Sequence, residues 1–497
     1  MIKIPISLSF LIFFSHAVYA QNAVVFPRLE PDPKAYDYHR LITRKANLSW
    51  TELAEISLWA SGNLTDANLE KIRTAVESLK KAGNLPSSAG EKAEFILTYM
   101  HRNILKSYSL YQTKIDTIFS NGSYNCVSSA VLYMILCTSA GIDVNGVVTK
   151  DHALAMVHIN GEDIDVETTN RYGFDPGNRK EFHDQFGKTT GFAYVPARNY
   201  RDRQTISKIE LISLIFANRI SDHERQNRYS DSVPLAVDMA ALLAGKASDT
   251  AFKTNSSNTL FEDPNSFLMD RIFNYGTWLL RSGREEDCLK WAAAASSAYP
   301  DEQRWQEFVM AAVNNSISKL LRENKLTNAR NFLEAQKNEL TQENYSQFDN
   351  ILTDAELLNN ANKISGMDDG NDVIFAIEHN LENGKLNSKR AVELRTFAIQ
   401  KTASQLCAAP DRDWRSAISY IENALKHFGA NHELEQSLKT YRNNLVAEFH
   451  NRFAAEWNKR NYNEAEIILS EGLAEFPADR QLLTDMETVK KQKRQNL

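Results

Sequence analysis

The amino-acid sequence predicts an α+β fold in which a small antiparallel sheet lies between an N-terminal helical segment and an all-helical C-terminal region. Gly (19) and Pro (12) are scarce in a chain of 497 residues, so turns should be few and most of the chain helical. Strand-like alternation is found over residues 144–169, and residues 192–200 could add a strand. Helical periodicity follows from about residue 205. Because the chain is too long for one core, we expect several domains.

The first twenty residues have the pattern of a signal peptide. Lys3 supplies a positive charge, the apolar run from Ile4 to Phe14 is too short to span a bilayer, and small residues precede a cut after Ala20. We therefore expect a bacterial protein exported to the periplasm or secreted, with no integral membrane segment once residues 1–20 are removed. A transmembrane anchor is the alternative.

Composition and cysteine spacing narrow the classes of partner and cofactor. The net charge of −6 gives no sign of nucleic-acid binding, which normally needs a basic surface. Neither CxxC nor HExxH occurs, so we expect no metal or other cofactor. Four cysteines do not make a disulfide framework in a chain of this length. Cys126 and Cys137 lie too far apart on one predicted helix to bridge, while a Cys288–Cys407 disulfide stays open.

The sequence after the signal peptide shows helical patterns in two expected domains, residues 21–84 and residues 85–205. Residues 21–84 should form the N-terminal helical segment, because the stretches 49–62 and 66–83 have apolar spacing near 3.6 and end in Gly. A third amphipathic helix, residues 89–105, begins the next domain, which we expect to cover residues 85–205.

Cys126 is a candidate nucleophile because of its position along the chain. It should begin a helix that ends before Gly141, with Asn125 as the N-cap. Free backbone N–H groups and the helix dipole favour a thiolate at this end, and the thiolate is the reactive form. The same N–H groups can later face an oxyanion. A lone cysteine is otherwise often a small buried apolar residue, so a nearby base is needed to support catalysis.

A predicted β-hairpin supplies both a base and a carboxylate. Asn160-Gly161 between two alternating runs is a strong hairpin signal. With a two-residue turn, His152 and Glu167 become diagonal neighbours on one face, about 7–8 Å apart and within reach of long side chains. Glu167 can then orient the imidazole of His152, which takes the proton from Cys126.

Other polar residues of this hairpin have alternative interpretations. Asp165 is the alternative third member of the site, although it lies one pair further from His152 and is equally explained as a solvated carboxylate. His158 lies near the hairpin tip opposite Asp163 and is interpreted as an exposed charge partner. His152 and Glu167 themselves could form an ordinary cross-strand polar contact.

The order of these elements resembles the transglutaminase-like superfamily, which comprises cysteine acyl-transfer enzymes and peptidases with a papain-like fold. The matching motifs cover roughly residues 85–200 and read "AEFILTYMHRNIL", "YNCVSSAVLYMILCTSAGI" and "DHALAMVHINGEDIDVETT". Cys126 and His152 fall on the family's Cys and His, while Glu167 and Thr169 fall on its Asp and Thr.

Two departures from the family pattern leave room for a catalytically inactive relative. Leu154 stands where the family usually has an aromatic residue two positions after the His. Glu167 stands in place of the Asp, which preserves the carboxylate on a longer side chain.

Residues 206–497 contain a weak repeat of small side chains four and seven residues apart, closed by Pro or Gly. The copies are Cys288, Ala292, Ala295 and Pro300; Ala417, Ile421, Ala424 and Gly429; and Ala465, Leu469, Gly472 and Pro477. Such spacing lets two helices approach closely and resembles the second helix of the tetratricopeptide repeat, although the copies lie roughly 40–50 residues apart. We expect a degenerate array of helical hairpins.

The resemblance implies an exported cysteine-dependent acyl-transfer enzyme, either a peptidase or amidase or a transglutaminase. Cys126 would attack an amide carbonyl, with His152 as general base and acid and Glu167 orienting the imidazole. The helical repeats would recruit a protein or peptide. One alternative is an inactive transglutaminase-like module in a protein-binding scaffold. Another is a cell-wall endopeptidase, which Asn125 disfavours because those enzymes have an Asp before the Cys.

Overall fold

The computed structural model describes residues 26–82, 85–177, 179–191, 203–244, 261, 263–302, 304–408 and 412–495. The expected signal peptide and the strand considered at 192–200 lie outside these residues. The chain forms two compact units, one ending at Phe308 and the other beginning at Val309. Most of the described chain is helical and the main sheet is small and antiparallel, which confirms the α+β class with a helical C-terminal region.

Eleven helices are described in the first unit. Their bounds are α1 Pro33–Arg44, α2 Trp50–Ala60, α3 Asp66–Lys81, α4 Ala89–Asn103, α5 Ile115–Asn121, α6 Cys126–Ser139, α7 Lys180–Thr190, α8 Lys208–Arg225, α9 Tyr229–Ala244, α10 Pro264–Arg281 and α11 Glu285–Ala298. Of these, α4, α6 and α8 pack against the unit's four-stranded sheet. Serine N-caps fix several of the starts. Ser49, Ser88 and Ser207 each accept a hydrogen bond from the backbone N–H of a Glu three residues later.

The strands of the first unit form two sheets. Their bounds are β1 Ser107–Tyr108, β2 Ser123–Tyr124, β3 Val144–Val148, β4 Ala153–Ile159, β5 Glu162–Val166 and β6 Gln204–Ile206. β1 and β2 pair in parallel, and the other four pair antiparallel in the order β5-β4-β3-β6.

The β4–β5 hairpin has the predicted two-residue turn. Asn160 (φ 55°) and Gly161 (φ 87°) both have positive φ, as a type I′ turn requires. Ile159 therefore pairs with Glu162, and the register continues to Ala155 opposite Val166. This observed pairing confirms the predicted register. The register follows from the turn, because a turn of this type leaves no other alignment of the two strands.

Helix α6 lies at the centre of the first unit. Its residues from Val127 to Cys137 are all buried, and α2, α4, α8, β3 and β4 pack around it. A helix that is apolar on every side needs neighbours all round, and these neighbours satisfy that need. The buried helix is a rigid support for its first residue, Cys126.

The first unit extends past the expected domain boundary at residue 205. Helix α8 buries Ile212, Ile215 and Phe216 against the unit's core and contacts α2, α6 and β3. Asp238 of α9 receives a hydrogen bond from Arg28 at 2.8 Å, which holds the N-terminal segment. The expected boundary therefore does not coincide with the division at Phe308, because the apolar face of α8 is buried on the sheet-containing core.

The second unit consists of helices over its described residues. Helix α12, Trp305–Arg322, crosses the division, and it is followed by α13 Leu326–Ala335, α14 Gln342–Asn362, α15 Met367–Glu382, α16 Ser388–Leu406, α17 Trp414–Phe428, α18 His432–Asn458, α19 Tyr462–Glu475 and α20 Arg480–Gln495. Most consecutive helices from α13 onward pack against each other. Among the described helices of both units, none has the length and apolar character that a membrane crossing needs.

The small residues of the weak repeat lie at buried positions. Those of α11 are buried in the first unit, and those of α17 and α19 are buried in the second. At Gly472, an added Cβ would lie 3.0 Å from Leu482 and from Phe449, so this glycine allows three helices to meet closely. This packing agrees with the expectation that small residues at this spacing let helices approach closely. Membership of the tetratricopeptide family stays a prediction.

Candidate active site

Cys126 is the first residue of α6, as its sequence context predicts. The buried Asn125 caps the helix by accepting the Ser128 N–H at 3.0 Å, and Ser128 Oγ accepts the Asn125 N–H at 2.9 Å. The first N–H groups of any α-helix have no acceptor within the helix. Cys126 is half-buried, so a fixed and electropositive helix end carries its thiol.

The thiol of Cys126 contacts His152, which precedes β4. Burial disfavours the thiolate, but the hydrogen bond and positive charge of His152 outweigh that effect, and the backbone N–H of Ala153 adds a further hydrogen bond. The pKa of Cys126 consequently lies below its ordinary value. The sulfur is therefore biased toward its nucleophilic form.

Glu167 holds the imidazole of His152 from the opposite side. His152 Nε2 donates to Glu167 Oε2 at 2.6 Å, and the Glu167 side chain is only 1% exposed. This leaves Nδ1 as the nitrogen that faces Cys126. Burial disfavours the imidazolium, yet the Glu167 charge and the contacts with Cys126 and Glu167 raise the pKa of His152 well above its ordinary value.

The carboxylate of Glu167 is fully hydrogen bonded. Its second oxygen, Oε1, accepts the Thr169 N–H at 3.1 Å and the Thr169 hydroxyl at 2.6 Å. Burial opposes ionisation, but the charge of His152 and these donors leave the pKa of Glu167 below its ordinary value. Thr169, which the family resemblance singled out, thus fixes the rotamer of the acid. The side chains of Cys126, His152 and Glu167 form one continuous chain of hydrogen-bonded contacts.

The segment after Glu167 is anchored by residues that the sequence analysis missed. His101 Nε2 donates to the Thr168 carbonyl at 3.0 Å, and the Tyr124 hydroxyl donates to the Thr169 carbonyl at 3.2 Å. Burial lowers the pKa of His101 to about 4, so it is neutral at pH 7. Ser129 and Thr168 share a hydrogen bond of 2.8 Å. Nothing local in the sequence indicates these contacts, which join distant elements.

Gly173 allows the backbone to fold back onto Glu167. The Glu167 N–H donates to the Gly173 carbonyl at 2.8 Å. A Cβ built at Gly173 would lie 2.0 Å from the Glu167 carbonyl oxygen, which no real contact permits. Because both partners are backbone, the clash cannot be relieved by a rotamer change. A glycine is therefore required here by space.

We expect Gly173→Ala to destabilise the first unit by about 1–3 kcal/mol, the usual effect of overpacking. Glu167 would be pushed away from His152, so the thiolate bias at Cys126 would fall as well. Thermal unfolding and Cys126 labelling measure the two effects. Gly90→Ala is the matched control, because Gly90 lies in α4 with nothing within 4 Å of a new Cβ. Equal stability of the two variants would contradict the close approach.

Helix α7 covers the imidazole on a side that the sequence analysis did not consider. The rings of Phe186 and His152 lie at right angles, with their centroids 6.2 Å apart. Phe182 and Phe186 are buried, and Arg179, just before the helix, pairs with Glu94 of α4 at 2.7 Å. The spacing of four between these two aromatic residues could have predicted this amphipathic helix from the sequence. Covering the imidazole limits its exposure to water and strengthens its pairing with Glu167.

The remaining polar residues of the hairpin lie away from the imidazole. Asp165 is opposite Met156 in the ladder and forms an ion pair with Arg203. His158 and Asp163 form an exposed pair at 2.8 Å, in line with the interpretation of His158 as a charge partner. Of the two candidate acids, Glu167 is therefore the one that the structure brings to His152.

Tyr108 is a further residue of the site that the sequence analysis did not identify. The β1–β2 register sets it opposite Tyr124, and the two rings meet edge to face at 5.9 Å. Burial, then the negative charges of Cys126 and Glu167, raise the pKa of Tyr108. The hydroxyl of this half-buried residue thus stays protonated at neutral pH and can act as a hydrogen-bond donor.

No family model matches the chain, and no curated protein matches it either. All four cysteines are free thiols, including Cys288 and Cys407. Across the described ranges, no three His, Cys, Asp or Glu side chains are grouped so that they could hold a metal ion. The activity is therefore inferred from the contacts of Cys126, His152 and Glu167 themselves.

Proposed function

We propose that the protein is an exported cysteine-dependent acyl-transfer enzyme with a transglutaminase-like fold. The observation that carries the proposal is the hydrogen bond of 2.6 Å from His152 Nε2 to the buried carboxylate of Glu167, with Cys126 on the other side of the ring. A merely structural cross-strand contact does not need a thiol at a helix N-terminus as its third member. A nucleophile, a base and an orienting acid are the parts that acyl transfer needs.

The reaction begins with the Cys126 thiolate attacking an amide carbonyl carbon. A C–S bond forms, and the negative charge moves to the carbonyl oxygen, for which we assign the Cys126 N–H at the start of α6 and the Tyr108 hydroxyl as donors. The imidazolium of His152 protonates the leaving amine as the C–N bond breaks, which leaves a thioester on Cys126.

The second half of the reaction resolves the thioester. Neutral His152 removes a proton from the acceptor, whose oxygen or nitrogen attacks the thioester carbonyl while the C–S bond breaks. The thiolate and the imidazolium of His152 are regenerated, so the proton balance closes. Water as acceptor gives hydrolysis, and an amine gives transamidation. We favour hydrolysis, because water is present in any exported compartment, and we assign recruitment of a protein or peptide to the helical second unit.

A second candidate function is protein binding by an inactive module. It is favoured by exposed apolar side chains in the second unit, the largest exposed fraction being 75% at Phe375. The departure from the family pattern at Leu154 is compatible with it. In that case Cys126 should behave as an ordinary thiol, which separates the two candidates by experiment.

We expect Cys126 to be alkylated by iodoacetamide well below pH 8, ahead of the other three cysteines. The pKa of Cys126 is lowered, so its thiolate persists as the pH falls through the range in which ordinary thiols become protonated. In His152→Ala, the Cys126 thiol stays buried but loses the positive charge of the imidazolium, so its pKa should rise. The labelling rate of Cys126 at pH 7 should then fall about tenfold for each unit by which this pKa rises. Peptide mass spectrometry at a series of pH values measures the rate at each cysteine.

His158→Ala is the matched control for this experiment. His158 also pairs with a carboxylate of the same hairpin, yet it is exposed and lies at the far end of β4. Its replacement should leave the labelling of Cys126 unchanged. If Cys126 reacts like an ordinary thiol, or if His152→Ala has no effect, the enzyme proposal is wrong and the binding function is preferred.

A further inference from the structure

Two adjacent apolar side chains are exposed in the segment that is hydrogen bonded to the start of α6. Leu110 is 48% exposed and Tyr111 is 61% exposed. Among the described residues up to Phe308, these are the exposed large apolar side chains; the others lie in the second unit. A solvent-facing surface tolerates single apolar residues, but a pair at one point of an otherwise well-covered unit needs an explanation.

The backbone at this point makes the pair more unusual. The Gln112 N–H donates to the Ser109 carbonyl at 2.9 Å, so Leu110 and Tyr111 occupy the two central positions of a β-turn. Such positions favour Gly, Pro, Asn, Asp and Ser, because these residues suit the turn geometry and are easily solvated. Neither turn geometry nor core packing therefore accounts for a leucine followed by a tyrosine.

The turn is attached directly to the start of α6. Asn125 Nδ2 donates to the Leu110 carbonyl at 3.1 Å, and Ser128 Oγ donates to the Gln112 carbonyl at 3.0 Å. These two polar side chains also form the capping box that positions Cys126. One hydrogen-bond network thus holds the nucleophile and the exposed apolar pair in a fixed relation.

Tyr111 is held on its other side by a cation. The guanidinium of Arg225, at the end of α8, lies 4.0 Å from the centre of the Tyr111 ring. The charge of Arg225 is itself balanced by Asp222 at 2.6 Å. The ring is therefore ordered while more than half of its surface stays open, and no net charge is presented beside it.

We propose that Leu110 and Tyr111 form the substrate-recognition platform of the site and contact a bulky apolar side chain of the acyl donor next to the attacked carbonyl. The substrate class is a peptide with a leucine-, methionine- or phenylalanine-like residue at that position. This inference rests on the proposed acyl-transfer function. A stable protein partner is disfavoured, because it would need about 800 Å² on each side, far more than two side chains supply.

Two affinity labels that share a reactive group test the platform. Chloroacetone and N-acetyl-phenylalanyl chloromethyl ketone both alkylate a thiolate with loss of chloride, but only the second carries an apolar side chain. After correction for the reaction of each label with free N-acetylcysteine, the full chain should react at Cys126 about tenfold faster or more with the phenylalanyl label. The double variant Leu110→Ser/Tyr111→Ser should lose this preference and keep its rate with chloroacetone.

Phe375→Ser is the control for the double variant. Phe375→Ser removes a more exposed aromatic ring from the second unit and should leave the preference intact. Equal rates with the two labels, or a preference that survives in the double variant, would overturn the platform while Cys126-selective labelling by chloroacetone still supports acyl transfer. If chloroacetone does not select Cys126 over the other cysteines, the proposed function fails and the platform fails with it.

Discussion

Replacing Cys126 by alanine is expected to reduce acyl transfer to the background rate, a loss of about 10⁴-fold or more. The thiolate supplies the bond that carries the acyl group, and no other group at the site can replace it. p-Nitrophenyl acetate serves as a general acyl donor, and the burst of p-nitrophenolate measures formation of the thioester. Because Cys126 is partly exposed, the substitution should leave the thermal unfolding temperature nearly unchanged.

Cys137→Ala is the matched control, because this residue lies on the same helix and is fully buried. Burial raises the pKa of the Cys137 thiol, so it is an unreactive side chain at neutral pH. The burst should survive in Cys137→Ala even if the small cavity lowers stability. A burst that persists in Cys126→Ala, or one that disappears only in Cys137→Ala, would show that Cys126 is not the nucleophile.

The second large effect is expected for Glu167→Gln, which keeps the shape of the side chain and removes its charge. The imidazole of His152 loses the carboxylate that fixes its tautomer, so we expect kcat/KM for p-nitrophenyl acetate to fall by about 10²–10⁴-fold. The variant also has a characteristic pH profile. In the wild type, the acid limb of activity follows the lowered pKa of Cys126 and the alkaline limb follows the raised pKa of His152.

Loss of the Glu167 charge should move the alkaline limb to lower pH. Without the carboxylate, the pKa of His152 falls, so the imidazolium is lost at a lower pH. The charge of Glu167 directly disfavours the Cys126 thiolate, so its removal should not move the acid limb to higher pH. A downward shift of the alkaline limb distinguishes this electrostatic role from a general loss of folding, which lowers activity at every pH.

Asp165→Asn is the matched control for Glu167→Gln, because Asp165 lies in β5 two residues before Glu167 but pairs with Arg203. Its replacement should leave the pH profile in place. Should Asp165→Asn lower the alkaline limb while Glu167→Gln does not, Asp165 would be the orienting acid. Glu167→Asp should retain part of the activity, because it keeps the charge and shortens its reach.

Several features of the site were predictable from the sequence because they depend on local physics. Asn160-Gly161 specifies a turn that few other dipeptides favour, and the turn then fixes which residues share a face with His152. Asn125 specifies the start of α6, and a residue after an N-cap lies at the helix terminus wherever the helix packs.

The tertiary structure alone decided which groups complete and surround the site. The anchoring by His101 and Tyr124 and the need for glycine at position 173 depend on atoms from separate elements meeting. The end of the first unit was decided in the same way, because α8 packs on α2, α6 and β3 of the sheet-containing core as well as on α9, which follows it. The sequence by itself thus determined the turn, the cap and the register, which short-range sterics and hydrogen bonds control. The supports of the Glu167 carboxylate and the extent of the unit were left to long-range packing, whose outcome no local pattern encodes.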